Sequence, residues 1–351
     1  MKMTFRWYGS DDPVTLDNIR QIPGMTGVVT AVYSVPAGEV WPTEEIDRMK
    51  KEVNDKGLEM EVIESVPVHE DIKLGRGDYK RYIENYKENI RRLAKAGVKC
   101  ICYNFMPVFD WTRSRLDQPL PDGSNALVYY KEDVDKMDPT KLALPGWDAS
   151  YSTSEMSELI DAYKTLGEEG LWKNLDHFIN EILPVAAECD VNMAIHPDDP
   201  PWDIFGLPRL IVDAESVDRF LSMVDDPYNC LSLCSGSLNA NPNNNVAEIV
   251  RKHCDRIPFA HIRNIHHFEN GDFSEAAHRD CCGETGIIEI LRAYHDCGFD
   301  GCIRPDHGRQ LWEEGPGNCR PGYGKYDRAL GIQYMLGVWD LLDRLDEEKK
   351  G

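Results

Sequence analysis

In GIIEILRAYHDCGFDGCIRPDH (residues 286–307) a helix-like stretch, 286–297, stops at Gly298, and a β-rich run, DGCIRPD at 300–306, begins at once. Glycine just past a helix is the usual stop, because it takes positive φ at little steric cost. Helix, glycine and short strand in succession mark the αβ connection of a parallel sheet. The strand ends on Asp306, a metal-type side chain, and His307 follows directly. Three earlier apolar runs end the same way: NMAIHP at His196, CLSLCS at Cys234 and PFAHIR at His261. The four are spaced by 38, 27 and 45 residues, roughly one βα unit each.

Outward from this stretch, strand and helix candidates alternate over the whole chain. The strand candidates are 3–9, 27–35, 60–66, 98–106, 191–197, 230–236, 258–264 and 300–306. Thr43 is placed as an N-cap with Gly57 as the stop, the stretch 79–96 ends at Gly97, and Ser152 with Glu155 has capping-box spacing. Eight such units predict an α/β fold, a closed (β/α)8 TIM barrel. In that fold, catalytic residues come from the C-terminal ends of different strands. No GxGxxG follows the first strand, which argues against a dinucleotide-binding sheet. One catalytic barrel domain, 1–351, is expected. Residues 107–151 form an insertion after the fourth strand, a lid or subunit contact, and about 325–347 an extended final helix packed on the barrel.

Lys and Arg number 39 and Asp and Glu 61, a net charge of −22, and no basic run stands out. Nucleic-acid and membrane partners are therefore not expected. The N-terminal MKMTFRWYGSDDP lacks a signal-peptide apolar core, and no run approaches a membrane span. The 11 cysteines show no repeated spacing, so reduced thiols in a cytoplasmic protein are expected.

His196, Cys234, His261 and Asp306 are the candidate metal ligands. The thiolate suits Zn2+ or Fe2+, and the carboxylate also suits Mn2+. An Asp in HPDDPP is a candidate to orient His196. Arg263, two residues past His261, points to the same side of its strand and is placed to meet an anionic substrate. Arg304 reads as a charge paired inside the barrel. Tyr323, in PGYG, has glycines on both sides that let the chain approach a ligand.

RWYG, HPDDPP followed by FGLPR, CSGSL, HIRNI, RPDHG and PGYG together resemble the D-mannonate dehydratase family, from residue 4 to about 340. The resemblance implies a xylose-isomerase-like barrel and a hydro-lyase. Such an enzyme turns D-mannonate into 2-dehydro-3-deoxy-D-gluconate in hexuronate catabolism, with one Mn2+ or Fe2+ per site. It implies the same four ligands and catalytic roles for His307 and Tyr323. Arg263 and Asn264 of HIRNI are the candidate substrate-binding residues, and a homo-oligomer, a dimer, is expected. Tyr323 as base with His307 as acid is the favoured order, but the sequence does not fix the direction. That assignment requires the tyrosine pKa to fall from about 10 to about 7. The competing readings are an aldose–ketose isomerase or epimerase on the same barrel, a metal-dependent endonuclease, and a non-catalytic metal or sugar-acid binding protein.

Overall fold

The computed structural model describes residues 1–142 and 152–350. Twelve strands run in chain order: β1 (Lys2–Arg6), β2 (Gly27–Thr30), β3 (Glu59–Glu64), β4 (Cys100–Tyr103), β5 (Arg115–Pro119), β6 (Asn125–Tyr129), β7 (Asn192–Ile195), β8 (Asn229–Cys234), β9 (Phe259–Ile262), β10 (Asn264–His267), β11 (Phe273–Ala276) and β12 (Cys302–Pro305). Eight of them close a barrel in the order β1-β12-β9-β8-β7-β4-β3-β2. Every neighbouring pair in it is parallel. These are the eight runs expected from the sequence, each shorter than expected, with β1, β3 and β8 starting one residue earlier.

The stops expected at the helix ends hold. Helix Ile287–Asp296 is followed by Gly298 at φ 71°, and the chain turns directly into β12. Ser152 and Glu155 form their capping box at the head of helix Thr153–Cys189. Thr43 is different: it is the first helical residue, and Pro42 occupies the cap position without a side-chain bond. Proline's φ allows it there, and the helix relies instead on its buried face of Ile46, Met49 and Val53.

A second, four-stranded antiparallel sheet, β10-β11-β6-β5, was not expected. It joins the 107–151 insertion (β5, β6) to the segment after β9. The run 258–264, taken as one strand, breaks at Arg263 and leaves the barrel to enter this sheet. Both hairpins carry a readable signal, Asp122-Gly123 and Asn270-Gly271, between short β-rich runs. The part of the insertion at 143–151 lies outside the described residues.

The main core lies between barrel and helices, with Phe5, Ile63, Ile101, Leu233 and Ile303 facing Ile90, Leu175, Phe178 and Leu291. Cys254 and Cys297 form a disulfide between the segment after helix Val246–His253 and the end of helix Ile287–Asp296. The expectation of reduced thiols throughout is corrected to this extent; the other nine cysteines are free. Among the described residues no helix is long and apolar enough to cross a membrane.

Candidate active site at the barrel mouth

Side chains on a strand alternate between faces. Inside the barrel, Val29, Val62, Cys100, Cys102, Ala194, Cys230, Phe259 and Cys302 form an apolar cluster of their own. Two residues beyond four of them, towards the C-terminal strand ends, stand Glu64, Ser232, His261 and Arg304, and beyond these Cys234, Arg263 and Asp306. The floor of the barrel is thus apolar and its mouth polar, by the same period of two.

Three of the four expected metal-type residues converge. The ligand atoms of His196, Cys234 and His261 lie within 4.8 Å of one another. His196 Nε2 faces His261 Nδ1 at 3.0 Å. His196 Nδ1 lies 2.6 Å from the Pro197 carbonyl, which only accepts, so the proton sits there and Nε2 keeps its lone pair. Asp306 joins the group through Cys234, whose Sγ is 3.3 Å from Asp306 Oδ2. His261 Nε2 is buried without a hydrogen-bond partner, 3.3 Å from Glu64 Oε2. Imidazole, thiol and carboxylate donors at one point, one of them an orphaned buried nitrogen, fit a divalent metal of the Zn2+, Fe2+ or Mn2+ kind. Replacing Cys234 with serine is expected to lower bound Mn2+ while the fold persists; elemental analysis showing full occupancy would remove the thiol from the ligand set.

The carboxylates of HPDDPP do not reach His196. Asp198 Oδ2 accepts from the backbone N–H groups of Leu210 and Ile211 at 3.1 and 2.8 Å. Asp199 accepts two bonds from Arg113, at 2.7 and 3.0 Å, and one from Arg263 Nη2 at 2.7 Å. Arg113 and Arg263 hold its pKa well below the usual carboxylate value despite burial that works the other way.

Arg263 is at the mouth, as expected, but its charge is already engaged. Besides Asp199, it donates to Glu275 Oε1 and lies 3.1 Å from Asp306 Oδ2. Asn264 stands apart from the site. Its Nδ2 donates to the carbonyls of Ala277 and Arg279 at 3.0 Å each, and its Oδ1 accepts from the Thr285 N–H at 3.2 Å. A residue that satisfies three backbone groups where β9 gives way to β10 is a structural clamp. Arg304 is paired inside the barrel, as expected, with Glu64 at 2.7 and 2.9 Å and Asp306 at 2.9 Å.

His307 and Tyr323 are brought together: His307 Nε2 lies 3.1 Å from the Tyr323 hydroxyl. Gly322, at φ 78°, makes this possible. A Cβ there would meet Leu127 Cδ1 at 2.6 Å and His307 Cδ2 at 3.2 Å. The close approach thus serves His307 and the insertion's own strand. On its other side, His307 Nδ1 is 3.2 Å from Glu275 Oε1 and 3.4 Å from Arg263 Nη1. The carboxylate is nearer, and that Arg263 nitrogen already bonds Glu275, so Nδ1 is assigned the proton. Nε2 then accepts from the Tyr323 hydroxyl. Burial, with Tyr8 and Asp306 nearby, pushes the Tyr323 pKa well above its ordinary value. Burial thus favours the neutral phenol, which donates to His307 Nε2.

Sequence reasoning missed Glu64, Arg6, Arg113 and Glu275. Glu64 and Arg6 end barrel strands β3 and β1, so the rule that found the four ligands could have found them. Arg113 and Glu275 belong to the insertion and the small sheet, whose docking over the mouth has no local signature. Trp111, from the same insertion, packs its ring edge-on to His307 at 5.1 Å between centroids.

Fold and site define a (β/α)8 barrel with a metal-type donor cluster and a hydrogen-bonded His307–Tyr323 pair at its C-terminal face, where barrel enzymes keep their catalytic groups. The family model described as D-mannonate dehydratase (UxuA) matches residues 1–349, and the chain belongs to that family. It is 52% identical over 363 residues to the mannonate dehydratase of Endomicrobium trichonymphae, covering 100% of this chain and 99% of that one. The mannonate dehydratase of Geobacillus thermodenitrificans is also 52% identical, over 365 residues, with 100% and 97% covered. Among solved structures, mannonate dehydratase from Streptococcus suis serotype 2 superposes with a TM-score of 0.92 at 47% identity, over 99% of this chain and 96% of that one. D-psicose 3-epimerase from Clostridium cellulolyticum H10 shares the fold, with a TM-score of 0.59 at 14% identity over 97% and 99% of the chains.

Proposed function

We propose that this protein dehydrates D-mannonate to 2-dehydro-3-deoxy-D-gluconate, in cytoplasmic hexuronate catabolism, with one Mn2+ or Fe2+ held by His196, Cys234, His261 and Asp306. The observation that carries the reading is the 3.1 Å pair of His307 and Tyr323 beside that donor cluster, in a chain of the D-mannonate dehydratase family. When bound, a divalent metal supplies a Lewis acid for the negative charge that develops on the substrate's oxygens.

The chain's own residues divide the proton work. The reaction takes the proton at C2 and expels hydroxide at C3. The Tyr323 phenol keeps its proton at rest, so it is assigned to protonate the departing C3 hydroxyl. His307 Nε2, relieved of that donor, receives the C2 proton. Glu275, at Nδ1, keeps the ring in one tautomer and offsets the charge of the imidazolium. This is the opposite of the order favoured from the sequence, where the direction stayed open. Net transfer is one proton from C2 to His307 and one from Tyr323 to the leaving oxygen. A proton passing from His307 to Tyr323 along their shared bond restores the enzyme, and the 2,3-enol formed becomes the 2-keto acid by losing its O2 proton and gaining one at C3. Arg263, within its cluster of Asp199, Glu275 and Asp306, acts by holding these groups in place.

The insertion is assigned as a lid on the same domain, supported by Trp111 against His307 and by the Arg113 bonds to Asp199 and Glu275. A homodimer is supported by the exposed Leu330, Leu341 and Leu345 on helix Lys325–Lys350. The test is incubation of the purified protein with D-mannonate and Mn2+. A 2-keto acid should accumulate, and EDTA should abolish its formation. Keto–aldose interconversion without loss of water would favour the isomerase reading instead.

A further inference from the structure

The buried arginines of the mouth differ in one respect. Arg113, Arg263 and Arg304 each donate to carboxylates of the protein. Arg6 does not: its Nε and Nη1 are buried with no hydrogen-bond partner. Nη1 is 3.2 Å from Glu64 Oε2, within ion-pair range but not aligned as a hydrogen bond, and both Glu64 oxygens already accept from Arg304. Buried polar groups almost always find hydrogen-bond partners, so two guanidinium nitrogens left without one at a barrel mouth, beside a carboxylate already engaged by Arg304, point to a ligand.

Its position suits an anion. Arg6 ends β1, and the pairing of Lys2 with Cys302 and Met3 with Ile303, continued along the strands, brings Arg6 level with Asp306. Its guanidinium lies over the Tyr8 ring at 4.8 Å, and that ring meets Tyr323 edge-on at 5.0 Å. Glu64 connects it on the other side to His261, at 3.3 Å. Arg6 therefore stands between the metal-type cluster and the acid–base pair.

We propose that Arg6 binds the substrate carboxylate and makes the site selective for sugar acids over neutral sugars. Arg263, expected in that role, has its charge spent on Asp199, Glu275 and Asp306. A carboxylate held at Arg6 fixes C2 one bond and C3 two bonds from the anchor, next to Tyr323. The pairing also matters for reactivity, because the carboxylate's own charge is what makes the C2 proton weakly acidic.

The assignment rests on the aldonate reading above, and binding separates the two. Calorimetry on the Mn2+-loaded protein compares D-mannonate with D-mannonamide, the same chain without the charge. The wild type should prefer the acid. Arg6→Met should weaken the acid by about tenfold or more and the amide by less than about twofold, at unchanged Mn2+ content. If Arg6→Met does not fold, Arg6→Lys, which keeps the charge but not the planar fork, should show a smaller loss confined to the acid. Equal weakening of both ligands, an unchanged acid affinity, or a wild type indifferent to the charge overturns the assignment, whatever the turnover. A wild type that prefers the acid but forms no keto acid removes the dehydratase reading and leaves the Arg6 assignment standing.

Discussion

Tyr323→Phe is expected to lower kcat on D-mannonate by about 10²–10⁴-fold, the range that a positioned acid or base contributes. The substitution removes one oxygen and keeps the ring. That ring is held edge-on to Tyr8 at 5.0 Å and to His307 at 5.0 Å, and the Arg328 guanidinium lies 5.4 Å from its centre. Arg328 also bonds the Tyr323 carbonyl at 2.6 Å, so the backbone stays in place. Stability should fall by only about 1 kcal/mol, the net worth of one hydrogen bond. Mn2+ content should not change, because Tyr323 lies outside the donor group of His196, Cys234 and His261. A steady-state assay with elemental analysis checks both. A variant within about tenfold of wild-type kcat would place the proton transfer elsewhere.

Glu275→Gln is expected to destabilise the fold by about 3–5 kcal/mol, the usual result of removing one partner from a buried ion pair. Glu275 is fully buried in the small sheet, and its Oε1 accepts from Arg113 Nη2 at 2.9 Å and from Arg263. A neutral amide leaves Arg113 with Asp199 as its carboxylate partner and Arg263 with Asp199 and Asp306. Urea denaturation at neutral pH measures the loss. Acid dependence gives a second readout. Burial raises the Glu275 pKa, but Arg263 and Arg113 outweigh it and bring it from 4.5 to about 2. A carboxylate with a depressed folded-state pKa stabilises fully above its unfolded value, and that contribution is lost as pH falls towards the folded value. The wild type should therefore lose stability between about pH 4.5 and 2, and the variant should lose less in that window. Turnover should fall as well, since His307 loses the charge opposite Nδ1. A variant as stable as wild type, with the same acid profile, would show that the cluster of arginines and carboxylates is not coupled in this way.

Much of the site was legible because strand ends are local features. His196, Cys234, His261 and Asp306 each close a short apolar run, and a βα unit carries its own punctuation, such as Gly298 after helix Ile287–Asp296. Glu64 and Arg6 also close barrel strands, but a lone carboxylate or guanidinium at a strand end carries no local sign of the site it serves. Asn264 was misleading. It adjoins Arg263 in sequence, but the chain leaves the barrel between them, and the amide turns to Ala277, Arg279 and Thr285. Cys254 and Cys297, 43 residues apart, had no spacing to mark them as a pair.

The sequence by itself determined the eight βα units, the polar mouth, the metal-type donors and the neighbours Asp306 and His307. These follow from hydrophobic period and from what can sit at a strand end. Only the tertiary structure decided which charges neutralise one another. Glu64 meets Arg304 across 240 residues and Arg113 meets Glu275 across 162, through barrel closure and the docking of the small sheet. Among 39 basic and 61 acidic side chains, no local pattern selects those pairs. The same closure buries Tyr323 and raises its pKa, which supports the phenol as the proton donor. It also leaves Arg6 Nε and Nη1 at the mouth without a hydrogen bond, beside Glu64. Burial and pairing depend on the positions of distant groups in space, and those exist only once the barrel is shut.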